Sequence, residues 1–212
     1  KEKNIKINNA IMESKARLNY KLVQMLIEKK NTSHIPYSVK KSINALIDVS
    51  RILRKARQKR GALDFDTIEN FIQLNNLGEP SYIYSEKRLE AHQLIEDLMI
   101  TTNEIVANFI EKYKKITLYR IHEKPNEEKL NLFIKSIQAI GLLKIKKKYT
   151  IKSSKDLSII MSQFNNHKSS YALMMLLLRS MSQAKYNTEN IGHFGLASKR
   201  YLHFTSPIRR YP

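Results

Sequence analysis

Two stretches near the C-terminal end concentrate side chains able to act on an anion. Asn190-Ile191-Gly192-His193-Phe194-Gly195-Leu196-Ala197 is followed by His203-Phe204-Thr205-Ser206-Pro207-Ile208-Arg209-Arg210-Tyr211-Pro212. A guanidinium carries a permanent charge and a planar fork of N–H donors that matches phosphate oxygens two at a time, so Arg209 and Arg210 suit a phosphate ester. The neutral donors His193, Thr205 and Ser206 suit phosphates or sugar hydroxyls, the groups by which a nucleic-acid backbone is held in register. The same three side chains would equally pin the loop. A buried imidazole bonded to backbone serves a Gly-rich turn as well as a ligand does, and His203 is open in the same way. Arg209 and Arg210 have bland readings too: holding backbone only, or pairing with a carboxylate. Residues 186–212 show no clean period and are rich in Gly, His, Ser, Thr, Arg and Pro, the makeup of a functional loop.

A scaffold of helices must present that loop. Ile11, Leu18, Leu22, Met25 and Leu26 fall at helical spacing and predict a first helix over residues 10–27. Val39, Ile43, Leu46, Ile47 and Leu53 mark a second helix, running into the basic residues Arg51 to Arg60 and stopped by Gly61. Residues 62–74 and 81–84 read as two short strands about an Asn75-Asn76-Leu77-Gly78 turn. The strongest period runs from Glu90 to Lys114 and predicts a long helix crossing the core. After an extended piece over 117–122, Pro125 and Asn126 precede Glu127 and Glu128, a helix start with acids facing the N-terminal dipole. That helix ends near Gly141. Lys144 to Lys148 form a basic connector, Ser154 is placed to cap a helix reaching Phe164, and a strongly apolar last helix covers 169–184. The fold expected is α+β and predominantly helical, with a few short strands.

Composition narrows the partner class. The 212 residues are 42% hydrophobic, enough to bury a core, and one domain is the natural count. Lys and Arg number 38 against 19 Asp and Glu, a formal charge of +19 that attracts polyanions in a salt-sensitive way. Nucleic acid leads, although AT-rich coding also enriches lysine. The longest apolar run, Tyr171 to Leu178, is far short of the roughly 20 residues of a membrane span. No secretory signal opens the chain, and the absence of cysteine fits a cytoplasmic protein without disulfides or thiolate metal sites.

The two loop motifs together resemble the signature of the ribonuclease II and ribonuclease R family of exoribonucleases. Further segments resemble the same family in the same order: Ala16-Arg17-Leu18-Asn19-Tyr20, Arg60-Gly61-Ala62-Leu63-Asp64-Phe65, Ala91-His92 through Met99, and Leu118-Tyr119-Arg120-Ile121-His122-Glu123-Lys124-Pro125. The resemblance covers essentially the whole chain. It implies removal of nucleotides from the 3′ end of single-stranded RNA, releasing nucleoside 5′-monophosphates, with Mg²⁺ as cofactor and no role for DNA or a membrane. It implies that Arg209 is the catalytic arginine, stabilising charge on the phosphate in the transition state. Phe65 lies where the family places a stacking aromatic, against the alternative of a core Phe, and Tyr211 is a second aromatic candidate. Glu96 or Asp97 would be the helix carboxylate that contacts the terminal ribose, a contact to the 2′-hydroxyl that separates RNA from DNA. Asp stands at the second place, where Glu is common, and a solvated helix face is the other reading.

Two-metal hydrolysis needs several converging carboxylates. The five aspartates, Asp48, Asp64, Asp66, Asp97 and Asp156, are scattered except for Asp64-Phe65-Asp66, and that pair falls in a different family segment. The resemblance puts the Asp-rich metal stretch upstream of Lys1, so no metal ligand is expected within the chain. Residues 1–212 are accordingly expected to be a partial catalytic domain, truncated at both ends, inactive in isolation and lacking the family's RNA-binding barrels. A non-catalytic RNA-binding remnant is the alternative.

Overall fold

The computed structural model describes residues 5–30, 32–33, 35–65, 69–86, 88–143 and 151–210. Two compact units form: residues 1–54 with 66–99, and residues 55–65 with 100–212. Each has its own core, and the chain is α+β with helices predominant.

In the first unit, α1 covers Tyr20–Ile27 and begins ten residues later than its apolar period suggests. The Asn19 side chain accepts the Leu22 N–H at 2.9 Å, a cap that fixes the start there. Upstream, Ile11 and Met12 are fully exposed, so no burial supports a longer helix. α2 (Tyr37–Arg60) and α3 (Glu90–Lys112) contribute to both units. Ile43, Ile47 and Leu94 are buried together, with Leu18, Val23, Leu26 and Leu98 packed around them. The hairpin pairs β1 (Glu69–Leu74) with β2 (Pro80–Glu86) in an antiparallel register that sets Phe71 opposite Tyr84 and Ile72 opposite Ile83. Its turn is closed by the Asn75 side-chain oxygen, which accepts from Leu77 N–H and Glu79 N–H, with Gly78 at φ 79°. The first strand is shorter than expected: residues 62–65 run outside any strand.

In the second unit, α4 (Glu127–Ala139) starts under an Asn126 cap that accepts the Lys129 N–H. α5 (Ser154–Phe164) is capped one residue earlier than expected. Ser153 is the cap, and the Asp156 carboxylate reaches back to accept the Lys152 and Ser153 N–H groups at 2.9 Å. Those bonds hold the Asp156 carboxyl below its usual range. α6 covers Ser170–Ser180 and ends before the expected Ala184, because Met181 turns extended (φ −72°, ψ 144°) to feed β4 (Lys185–Asn187). β4 pairs antiparallel with β3 (Tyr119–Ile121). The main core sits among α4, α5 and α6, where Phe133, Ile137, Leu157, Phe164 and Leu177 are fully buried. Each such side chain contributes roughly 1.5–3 kcal/mol by leaving water. Phe133 and Phe164 meet edge to face at 6.2 Å. A smaller cluster, Val106, Ala107, Tyr119, Ile121 and Leu202, fixes the small sheet. The basic connector Lys144 to Lys148 lies outside the described residues.

Candidate active site

The chain leaves β3 at Ile121, and the next residue, His122, organises the Gly-rich turn. Its N–H donates to Gly192 O at 3.0 Å, and its carbonyl accepts from Phe194 N–H at 2.9 Å. Its Nδ1 accepts from Gly195 N–H at 2.9 Å, while Nε2 lies 2.7 Å from Ser182 O. An amide can only donate and a carbonyl can only accept, so the ring is neutral with its proton on Nε2. Burial accordingly lowers the His122 pKa. Gly192 stands at φ 82°, and a Cβ there would come within 3.0 Å of Ser198 O.

His193 stands inside this turn. Its backbone exchanges hydrogen bonds with Ser198, at 2.8 and 3.2 Å, and its Nδ1 accepts the Leu196 N–H at 3.3 Å. Burial first, then the His122 ring and Arg120, push its pKa down to about 3. His203 lies 2.6 Å from the Tyr186 hydroxyl, and burial with the Arg210 charge takes its pKa down to about 4. Phe194 packs against the main core. Both depressed imidazoles are neutral when folded and take up protons when unfolded, so stability is complete above about pH 6.5 and is lost as pH falls toward their folded values. His193 alone is expected to cost on the order of 2 kcal/mol by about pH 5. The melting temperature should fall between about pH 7 and pH 5, and imidazole proton resonances should titrate well below 6.5; a flat profile would contradict this.

The second motif is tied to the α3 side chain Asn103. Its oxygen accepts from Phe204 N–H at 3.0 Å, Thr205 N–H at 2.9 Å and the Thr205 hydroxyl at 3.2 Å. Thr205 thus spends its hydroxyl proton on the protein itself. Ser206 follows at φ 55°, a left-handed backbone that is costly for a non-glycine residue. It enters a 3-10 turn, Pro207–Arg209, closed by Arg210 N–H to Pro207 O. Arg209 ends the turn exposed, and no carboxylate among the described residues pairs with it. Arg210 is half-buried, and its Nε is buried with no hydrogen-bond partner among the described residues.

Thr205, Ser206, Arg209 and Arg210 therefore share one short segment, and Tyr201 links it to the His193 turn through a ring contact of 5.4 Å. Leu63 N–H donates to Gly195 O at 2.8 Å, which ties residues 60–65 to the same turn. Phe65 is half-buried and packs against the main core, and Asp64 is exposed. Tyr211 and Asp66 lie outside the described residues.

The helix carboxylates stand in the first unit. Asp97 is 1% exposed and accepts from Ser50 Oγ at 2.8 Å and Arg54 Nε at 2.9 Å, so it does not lie on a solvated face. Glu96 is half-buried and pairs with Arg88. His122 and Asn103 are the organising residues that the sequence reading missed. Asn103 leaves one signal: it falls in phase with the apolar stripe Ile100 and Val106 of α3. Among the described residues no group of three or more His, Asp or Glu side chains could hold a metal ion, and no helix is long and apolar enough to cross a membrane.

A family model described as the RNB domain matches residues 1–212. Ribonuclease R of Vibrio cholerae is 39% identical over 209 residues, 96% of this chain and 25% of that protein. Ribonuclease R of Escherichia coli is 37% identical over 209 residues, 98% of this chain and 25% of that protein. The chain thus spans about a quarter of the length of the curated relatives it matches. Among solved structures, Mycoplasma genitalium RNase R in complex with ribose methylated single-stranded RNA superposes with a TM-score of 0.83 at 28% identity, over 89% of this chain and 29% of that one. A yeast pseudonuclease shares the fold with a TM-score of 0.63 at 18% identity, over 92% of this chain and 24% of that one.

Proposed function

The chain belongs to the RNB domain family, and from that premise we propose that residues 1–212 supply the arginine-bearing part of the catalytic domain of a 3′-to-5′ exoribonuclease. The substrate is single-stranded RNA and the products are nucleoside 5′-monophosphates. The observation that carries this reading is the exposed Arg209 guanidinium, with no carboxylate partner among the described residues, at the end of a turn whose register is fixed by buried hydrogen bonds. Such a group meets the charge that builds on phosphate oxygens in the transition state. Arg210 and Ser206 stand in the same segment as RNA-binding residues, with Phe65, Tyr211 and Glu96 as further contacts, whereas Asp97, buried and bonded to Ser50 and Arg54, holds its own helix instead. Thr205 holds the backbone that carries Arg209 and His193 holds the Gly-rich turn, since each spends a side-chain bond on the protein.

The described residues do not by themselves fit a Mg²⁺ site, because no three carboxylates or imidazoles converge. In this reading the Mg²⁺ ligands would come from outside them, and the ion would supply an activated water. The same observation favours a second reading, a non-catalytic RNA-binding protein of the cytoplasm. Incubating the complete gene product with 5′-labelled single-stranded RNA, matching DNA and Mg²⁺ separates the two. A descending RNA ladder that EDTA abolishes, with DNA intact, is expected. Intact RNA that is nevertheless bound would establish the second reading.

A further inference from the structure

Burying an amide away from water is unfavourable unless each polar atom finds a partner. Asn103 is 0% exposed on a helix face otherwise lined by Ile100, Val106 and Ala107, and its amide is bonded at both ends. Two backbone N–H groups donate to one end of its amide, which identifies that end as the oxygen and leaves the nitrogen to donate to the Tyr201 hydroxyl at 3.1 Å. All three donors to the oxygen come from Phe204 and Thr205, a hundred residues away in sequence. Four residues beyond Thr205, past the left-handed Ser206, stands Arg209. No other hydrogen bond fixes the Phe204 and Thr205 amides among the described residues.

We propose that Asn103 is the positioning residue of Arg209, setting the height of the arginine turn through Phe204 and Thr205 without itself meeting RNA. The inference rests on the reading of Arg209 as the catalytic arginine. Its chemistry is geometric: a guanidinium stabilises a transition state only where its donors already stand when charge develops, and a displacement of about 1 Å can cost a hundredfold. Asn103→Leu keeps the size and removes every bond. Asn103→Asp keeps an acceptor for all three donors, and the Tyr201 hydroxyl can turn its proton toward the carboxylate. Thr205→Val removes the hydroxyl bond alone.

The test compares these variants in the complete gene product, by kinetics on single-stranded RNA with Mg²⁺ and by hydrogen exchange at Phe204 and Thr205. Asn103→Leu should lower kcat about 100-fold with KM little changed, and speed exchange at both amides. Asn103→Asp should recover most of the loss. In an Arg209→Ala background Asn103→Leu should cost nothing further, because the group it positions is gone. An equal loss in both backgrounds, or unchanged exchange at the two amides, would overturn the positioning role while leaving Arg209 catalytic. An unimpaired Arg209→Ala enzyme would instead overturn the reading beneath it. Should Asn103→Leu fail to fold, Thr205→Val in the same two backgrounds gives the same contrast with a loss of about tenfold.

Discussion

Arg209→Ala in the complete gene product is expected to lower kcat on single-stranded RNA by about a thousandfold while KM changes little. The side chain is exposed and pairs with no carboxylate among the described residues, so its removal orphans no buried charge or amide there, and the fold should not notice. What is lost is a pre-positioned pair of N–H donors for phosphate oxygens that become more negative only as the bond breaks; such donors contribute to kcat and not to ground-state affinity, typically by about 10²- to 10³-fold or more. Arg209→Lys retains the charge but not the planar fork, and should sit between, about tenfold to a hundredfold down. Arg210→Ala should behave differently. If its role is to hold backbone, affinity falls, the salt dependence of binding becomes shallower by about one counterion, and kcat is largely preserved. A kcat for Arg209→Ala within a factor of a few of the parent, measured in single turnovers, would remove Arg209 from the chemistry.

The helices and the loop were readable in the sequence to different depths. α2, α4 and α5 are written in short-range terms, an apolar period bounded by a cap, a Gly or both, and those signals need only a few neighbouring residues to act. The same signals misplace α1, because Ile11 is in phase but has nothing to pack against. The motif residues were legible as a cluster since they are contiguous. Their supports were not. His122 reaches Gly195 across 73 positions and Asn103 reaches Phe204 across 101, and periodicity carries no information about such pairings. It also treats polar residues in an apolar stripe as noise, whereas Asp97 and Asn103 are the two polar side chains on the buried stripe of α3. Asp97 as a possible ribose contact illustrates the difficulty: its carboxylate already accepts from Ser50 and Arg54, a pair of bonds that burial makes expensive to break.

The second large effect is expected at Gly61, far in sequence from either motif. A Cβ added there would stand 2.4 Å from the Lys155 Cα and 2.7 Å from its amide nitrogen, backbone atoms at the start of α5 that cannot swing aside. Its φ of 93° is also one that an L side chain adopts only under strain. Gly61→Ala therefore combines overpacking with backbone strain and should destabilise the second unit by about 3 kcal/mol or more. Gly78 isolates the strain component. It has a similar φ of 79°, but nothing lies within 4 Å of its added Cβ, so Gly78→Ala should cost only about 1 kcal/mol. The difference between the two variants measures the close approach itself. Because Leu63, two residues on, donates to Gly195 O, the disturbance should reach the His193 turn and lower kcat as well as stability. Hydrogen exchange in the complete gene product would read both, as lost protection in the first turn of α5 and at Leu63. Equal costs for the two alanines would mean that α5 yields at Lys155, and that Gly61 is required for its backbone angle alone.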